Sequence, residues 1–172
     1  MLKTSRRCSV TLLCLLFMAA LQAVVTGQET PAVVGAKELA RIVPASFYFQ
    51  GQSGPTQMRN AAAARLAADR LVIAGLVDTS GYASDVRARY EGFFITDSPV
   101  SIGGQALGTG AYGFGFSTDG KLTISDISGK EVLAVAAQSD KSLKRPRPLM
   151  MTKAADGVRL YSGRNYVIVA AQ

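Results

Sequence analysis

Asp78, Asp85, Glu91 and Asp97 are four carboxylates near enough in sequence to be considered as an acid–base pair. Glycoside hydrolysis needs two such groups, held ~5 to ~9.5 Å apart. The spacing does not demand that role. Asp78 and Asp85 bound the stretch Asp78-Thr79-Ser80-Gly81-Tyr82-Ala83-Ser84-Asp85, a mixture that is also ordinary loop chemistry. As its terminal carboxylates they are candidates for ligand contact. Serine chemistry has less to work with. The chain holds no histidine, so no Ser–His pair can form. Ser139, Ser142 and Lys144 share a polar segment but miss the SxxK spacing of a Ser–Lys pair. Asp119, Asp126 and Glu131 lack the order of a calcium loop. Both cysteines, Cys8 and Cys14, sit near the start, which leaves the rest without thiol or disulfide. No catalytic residue, metal ligand or cofactor is expected.

Two other segments carry binding chemistry. Tyr112, Phe114 and Phe116 alternate with Gly113 and Gly115, so a strand here would show an aromatic face and a bare one. Glycine within a strand marks a bend or a close approach, by a ligand or by the protein's own atoms. The three aromatics are candidate contacts for an apolar ligand in a small barrel. Gly108-Thr109-Gly110-Ala111-Tyr112-Gly113 matches GxGxxG, but the fingerprint needs a helix after it and here an alternating strand follows. Lys141-Ser142-Leu143-Lys144-Arg145-Pro146-Arg147-Pro148 concentrates Lys141, Lys144, Arg145 and Arg147 on a proline-stiffened path. Such a loop suits an anionic component of the cell envelope, through salt-sensitive contacts, or simply keeps a sheet edge solvated. No specific nucleic-acid binding is expected.

The elements that must position these groups read as short strands. Ser46–Gln50, Leu71–Val77, Tyr90–Asp97, Val100–Ile102, Ala111–Ser117, Leu122–Ser125, Val132–Ala137, Leu149–Lys153, Val158–Ser162 and Tyr166–Ala170 are apolar or alternating runs. Turn residues separate them, at 51–55, Thr118-Asp119-Gly120, Ser128-Gly129-Lys130, Asp156-Gly157 and 162–165. Met58–Asp69 is ambiguous, because its alanines favour helix while everything downstream is β. A strand–turn–strand is favoured. About eight to ten short antiparallel strands predict an all-β sandwich or a small barrel.

Lys3, Arg6 and Arg7, the apolar run Val10–Ala20 and the small residues before Gly27 have the order of a secretory signal. Cleavage is expected after Gly27, or after Ala23. The run falls short of the ~20 residues a spanning helix needs, so no transmembrane span is expected after cleavage. The domain reading is a signal at 1–27, a flexible arm at 28–45 and one β-domain at 46–172. The chain carries 19 basic and 12 acidic residues, for +7. Three of the basic and none of the acidic ones fall in the signal, leaving sixteen against twelve, +4, for the mature chain. That balance is unremarkable for an exported domain.

The run Val100-x-Ile102-Gly103-Gly104-x-x-Leu107-x-x-Gly110-x-Tyr112-Gly113 resembles a hairpin element of uncharacterised secreted bacterial β-domains. The resemblance implies a β-domain outside the cytoplasm and no particular activity. The reading is a secreted or periplasmic, non-catalytic β-domain with a binding or structural role. Alternatives are the apolar-ligand barrel and the carboxylate hydrolase.

Overall fold

The computed structural model describes residues 30–67 and 70–172. The expected signal at 1–27, with Cys8 and Cys14, lies outside these residues. The chain forms an antiparallel β-sandwich. The first sheet has eight strands: β1 (Ala32–Val33), β2 (Ser46–Phe49), β3 (Gln52–Ala67), β4 (Arg70–Val77), β5 (Gly92–Thr96), β8 (Gly110–Phe116), β9 (Lys121–Ser125) and β10 (Glu131–Ala136). Its order is β1-β3-β4-β5-β8-β9-β10, with β2 on the far end of β3. The second sheet has six: β6 (Val100–Ile102), β7 (Gln105–Leu107), β11 (Gln138–Ser139), β12 (Arg147–Ala154), β13 (Gly157–Gly163) and β14 (Asn165–Ala171). There the order is β12-β13-β14-β6-β7, and β11 pairs with β14. No helix among the described residues is long and apolar enough to cross a membrane.

Alternation decides which side chains go inside. Leu122 and Ile124 of β9, Val158 and Leu160 of β13, and Val167 and Val169 of β14 point between the sheets. Phe94, Val100, Ile102 and Phe114 join them in one contiguous core. The sheets do not close into a barrel. Their end strands β7 and β10 meet without a ladder, through Gln105 Nε2 donating to the Ala134 carbonyl at 3.3 Å.

Met58–Asp69 resolves toward strand as far as Ala67. Ala62 and Ala64 enter the central core, and Ala63 is buried on the opposite face. Helix propensity gives way because β3 is paired with β4 and covered on both sides there. The turn expected over 51–55 is tighter. Gln50 (φ 46°) and Gly51 (φ 81°) make it, while Ser53, Gly54 and Pro55 pair with Tyr48, Phe47 and Ser46. Two consecutive positive φ values are the geometry of a type I′ hairpin. The register shift between Thr56 and Ala61 bends β3, which lets the β2–β3 hairpin lie over the outer face of the first sheet.

That outer face holds a second core. Phe47 stacks on Phe93 at 5.0 Å and Phe49 on Tyr90 at 4.0 Å, with Tyr82 edge-on to Tyr90. The stretch expected as a flexible arm carries β1 and α1 (Ala36–Ile42). β1 pairs with β3, Leu39, Ile42 and Val43 pack on the second core, and Glu38 bonds Arg65. Its apolar residues cover the outer surface of β3 and β4, which alternation alone leaves without an assigned cover.

Candidate functional site

The bare face of β8 is filled by the protein itself. A Cβ on Gly113 would lie 2.3 Å from the Phe49 ring, and one on Gly115 would lie 2.3 Å from the Arg89 carbonyl oxygen. The glycines admit β2 and the segment before β5. On the other face, Phe114 is fully buried between the sheets and edge-to-face with Phe116. Tyr112 packs at the margin of that core and donates its hydroxyl to the Gly108 carbonyl at 3.0 Å. The GxGxxG run enters β8 and has no helix behind it.

Glu91 and Asp97 do not converge. Asp78 Oδ1 accepts the Ser80 N–H, and Asp85 lies exposed on α2 (Ser84–Arg87). Both oxygens of Asp97 accept the Leu71 N–H, at 2.9 and 3.0 Å. Glu91 and Asp97 flank opposite ends of β5, roughly 20 Å apart at ~3.3 Å per residue. That is beyond the reach of a hydrolytic pair. No cluster of three or more His, Cys, Asp or Glu able to hold a metal ion occurs among the described residues.

The basic loop is a built surface. It runs from β11 to β12, and Lys141, Lys144, Arg145 and Arg147 are all exposed. None of the four makes an ion pair among the described residues. The loop backbone is held from beneath. Arg164, in the β13–β14 turn, donates through Nη1 to the carbonyls of Asp140, Lys141 and Leu143, the last at 2.6 Å. Asp140 Oδ1 accepts from the Ser142 amide and hydroxyl, and Oδ2 accepts the Tyr161 hydroxyl at 3.0 Å. The Ser142 hydroxyl, aided by Tyr161, holds the Asp140 carboxyl below the usual carboxylate range. Arg159 lies over the Tyr166 ring at 4.8 Å beside this clamp.

A cleft of about 300 Å3 opens where the ends of the two sheets meet. Leu76 gives it apolar surface from the first sheet and Pro148 from the second, while Val77 and Tyr90 border it with side chains buried in the second core. Thr79, Arg87, Glu91 and Ser162 bring polar groups into it. Glu91 Oε2 accepts the Phe116 N–H at 3.2 Å. Burial pushes the Glu91 carboxyl up, and the Phe116 hydrogen bond only partly opposes it. Arg87 makes no ion pair with it. Gln57 also borders the cleft, but its amide is engaged by the Val77 carbonyl and Asn60. The Asp78–Asp85 loop thus reaches the cleft through Thr79, not through either terminal carboxylate.

Sequence reading weighed Glu91 only as a member of a pair and passed over Arg87 and Ser162. No local signal marks them, because β5, α2 and β13 meet only in the folded chain. No family model matches the chain, and neither does any curated protein or solved structure.

Proposed function

We propose that this chain is an exported, non-catalytic binding module whose basic loop engages an anionic component of the cell envelope. One observation carries the reading. Four exposed cations, without an ion-pair partner among the described residues, sit on a loop whose backbone is already ordered by Arg164 and Asp140. Preordering lowers the entropic cost of binding, so an anionic partner meets charges held in place. The lack of histidine, which removes any Ser–His pair, favours binding over catalysis. Export rests on the order of residues 1–27, basic, apolar, then small.

Retention of the purified protein on immobilised dextran sulfate, eluted with a salt gradient, tests the loop. The protein should bind, and elution should shift to much lower salt when Lys141, Lys144, Arg145 and Arg147 are all changed to Glu, because each phosphate-like contact adds to the salt dependence. An unchanged elution position would refute the assignment. Export is tested by fractionation and N-terminal sequencing, with a mature form starting near Gln28 expected.

A further inference from the structure

The basic loop and the cleft adjoin. Pro148 lines the cleft and directly follows Arg147, while Ser162 precedes Gly163, the residue paired with Arg147. A chain lying on the loop is therefore led to the cleft mouth, where Arg87 offers a further guanidinium from α2.

The cleft is not simply cationic, and this discriminates among anionic partners. Glu91 bonds Phe116 through one oxygen, and its other oxygen has no partner among the described residues. An ionised carboxylate only accepts hydrogen bonds. It repels phosphate or sulfate oxygens but suits a hydroxyl donor. Ser162 and Thr79 can donate or accept, and Arg87 donates only. Leu76 and Pro148 supply apolar surface for C–H groups. Hydroxyls around a ring with an apolar face match this set. A bare phosphate chain offers no hydroxyls, and the glycerol head group of phosphatidylglycerol offers hydroxyls without a ring or an apolar face.

Resting on the loop reading above, we propose that the cleft is a saccharide subsite and that the anionic partner is an acidic polysaccharide. One sugar ring sits between Glu91 and Arg87, and carboxylates of neighbouring units lie along Lys141–Arg147. Glu91 selects the hydroxylated ring, and the loop supplies charge attraction that any polyanion shares.

Titration calorimetry at fixed salt separates the two contributions. The probes are polygalacturonate, polyphosphate, and phosphatidylglycerol vesicles diluted in phosphatidylcholine. Polygalacturonate should bind most tightly. Glu91→Gln should weaken it by roughly tenfold, the value of one hydrogen bond to a charged group, and leave polyphosphate unchanged or improved. Arg87→Gln, at an exposed position, should also weaken polygalacturonate and guards against a folding defect in the first variant. Equal binding of all three probes with both cleft variants indifferent would overturn the saccharide subsite and leave the loop reading standing. Polygalacturonate binding that survives reversal of the four loop charges would instead overturn the loop reading. Absence of binding to every probe would overturn both.

Discussion

Gly113 and Phe49 should behave as one unit, and a double-mutant cycle measures it. Phe49 is 2 % exposed, and its ring lies between Tyr90, at 4.0 Å, and the bare Cα of Gly113. In Gly113→Ala the new methyl would meet ring carbons at 2.3, 2.7 and 3.0 Å. The ring cannot withdraw, because Tyr90 blocks its other face. Overpacking of this kind costs about 1–3 kcal/mol. Phe49→Ala removes the ring and costs about 3–5 kcal/mol. With the ring gone, the methyl of Gly113→Ala enters vacated space. Gly113 has no positive φ, so alanine adopts its backbone without strain and restricts the unfolded chain by about 0.4–1 kcal/mol. Gly113→Ala should therefore be destabilising in the parent and neutral or stabilising beside Phe49→Ala. The coupling is on the order of 2–3 kcal/mol. Urea unfolding at 25 °C gives all four stabilities, provided the slope with denaturant stays constant. Phe49→Leu is the milder partner should Phe49→Ala be too unstable to fold. Additive effects within about 0.5 kcal/mol would refute the argument, and so would a Gly113→Ala variant as stable as the parent.

Glu91→Gln should become progressively more stable than the parent as pH rises. A carboxyl whose folded pKa lies above its unfolded value contributes stability below the unfolded pKa and loses it as pH rises through the folded one. The amide does not titrate, so the gap in melting temperature should be smallest near pH 4 and widen toward pH 7. A gap independent of pH would show that Glu91 is not desolvated. Arg164→Ala removes the Nη1 bonds to the loop carbonyls and should release the loop at a cost of about 1 kcal/mol; amide exchange at Asp140 and Ser142, whose own bonds survive the substitution but open with the loop, should accelerate. Unchanged protection at both amides would mean that Arg164 is not the clamp.

Much of the β architecture is legible in local pattern. β8, β9, β13 and β14 appear where alternation and Gly turns place them, because each has one face toward a core and its side chains follow the period of two. β3 is less legible, since an Ala61–Ala64 run carries no periodic contrast and is buried on both faces only through its partners. The docked segment at 32–43 is hidden for a similar reason. Its apolar residues are too few to announce an element and acquire a purpose only against the outer face of β3 and β4.

The candidate sites divide in the same way. Lys141, Lys144, Arg145 and Arg147 are adjacent in sequence, and their exposure follows from charge and proline content. Arg164 and Asp140 as their clamp, and Glu91 beside Arg87 and Ser162 in one cleft, depend on segments that meet only when two sheets stack. By itself, the sequence determined the β class, the cationic loop and the lack of imidazole and thiol chemistry outside the first residues. The tertiary structure alone decided that a sandwich forms, that Phe49 occupies the bare face of β8, and that a half-buried carboxylate borders a cleft next to the loop. Side-chain alternation specifies which residues share a face, whereas the partner of that face is set by non-local packing, which no short window of sequence contains.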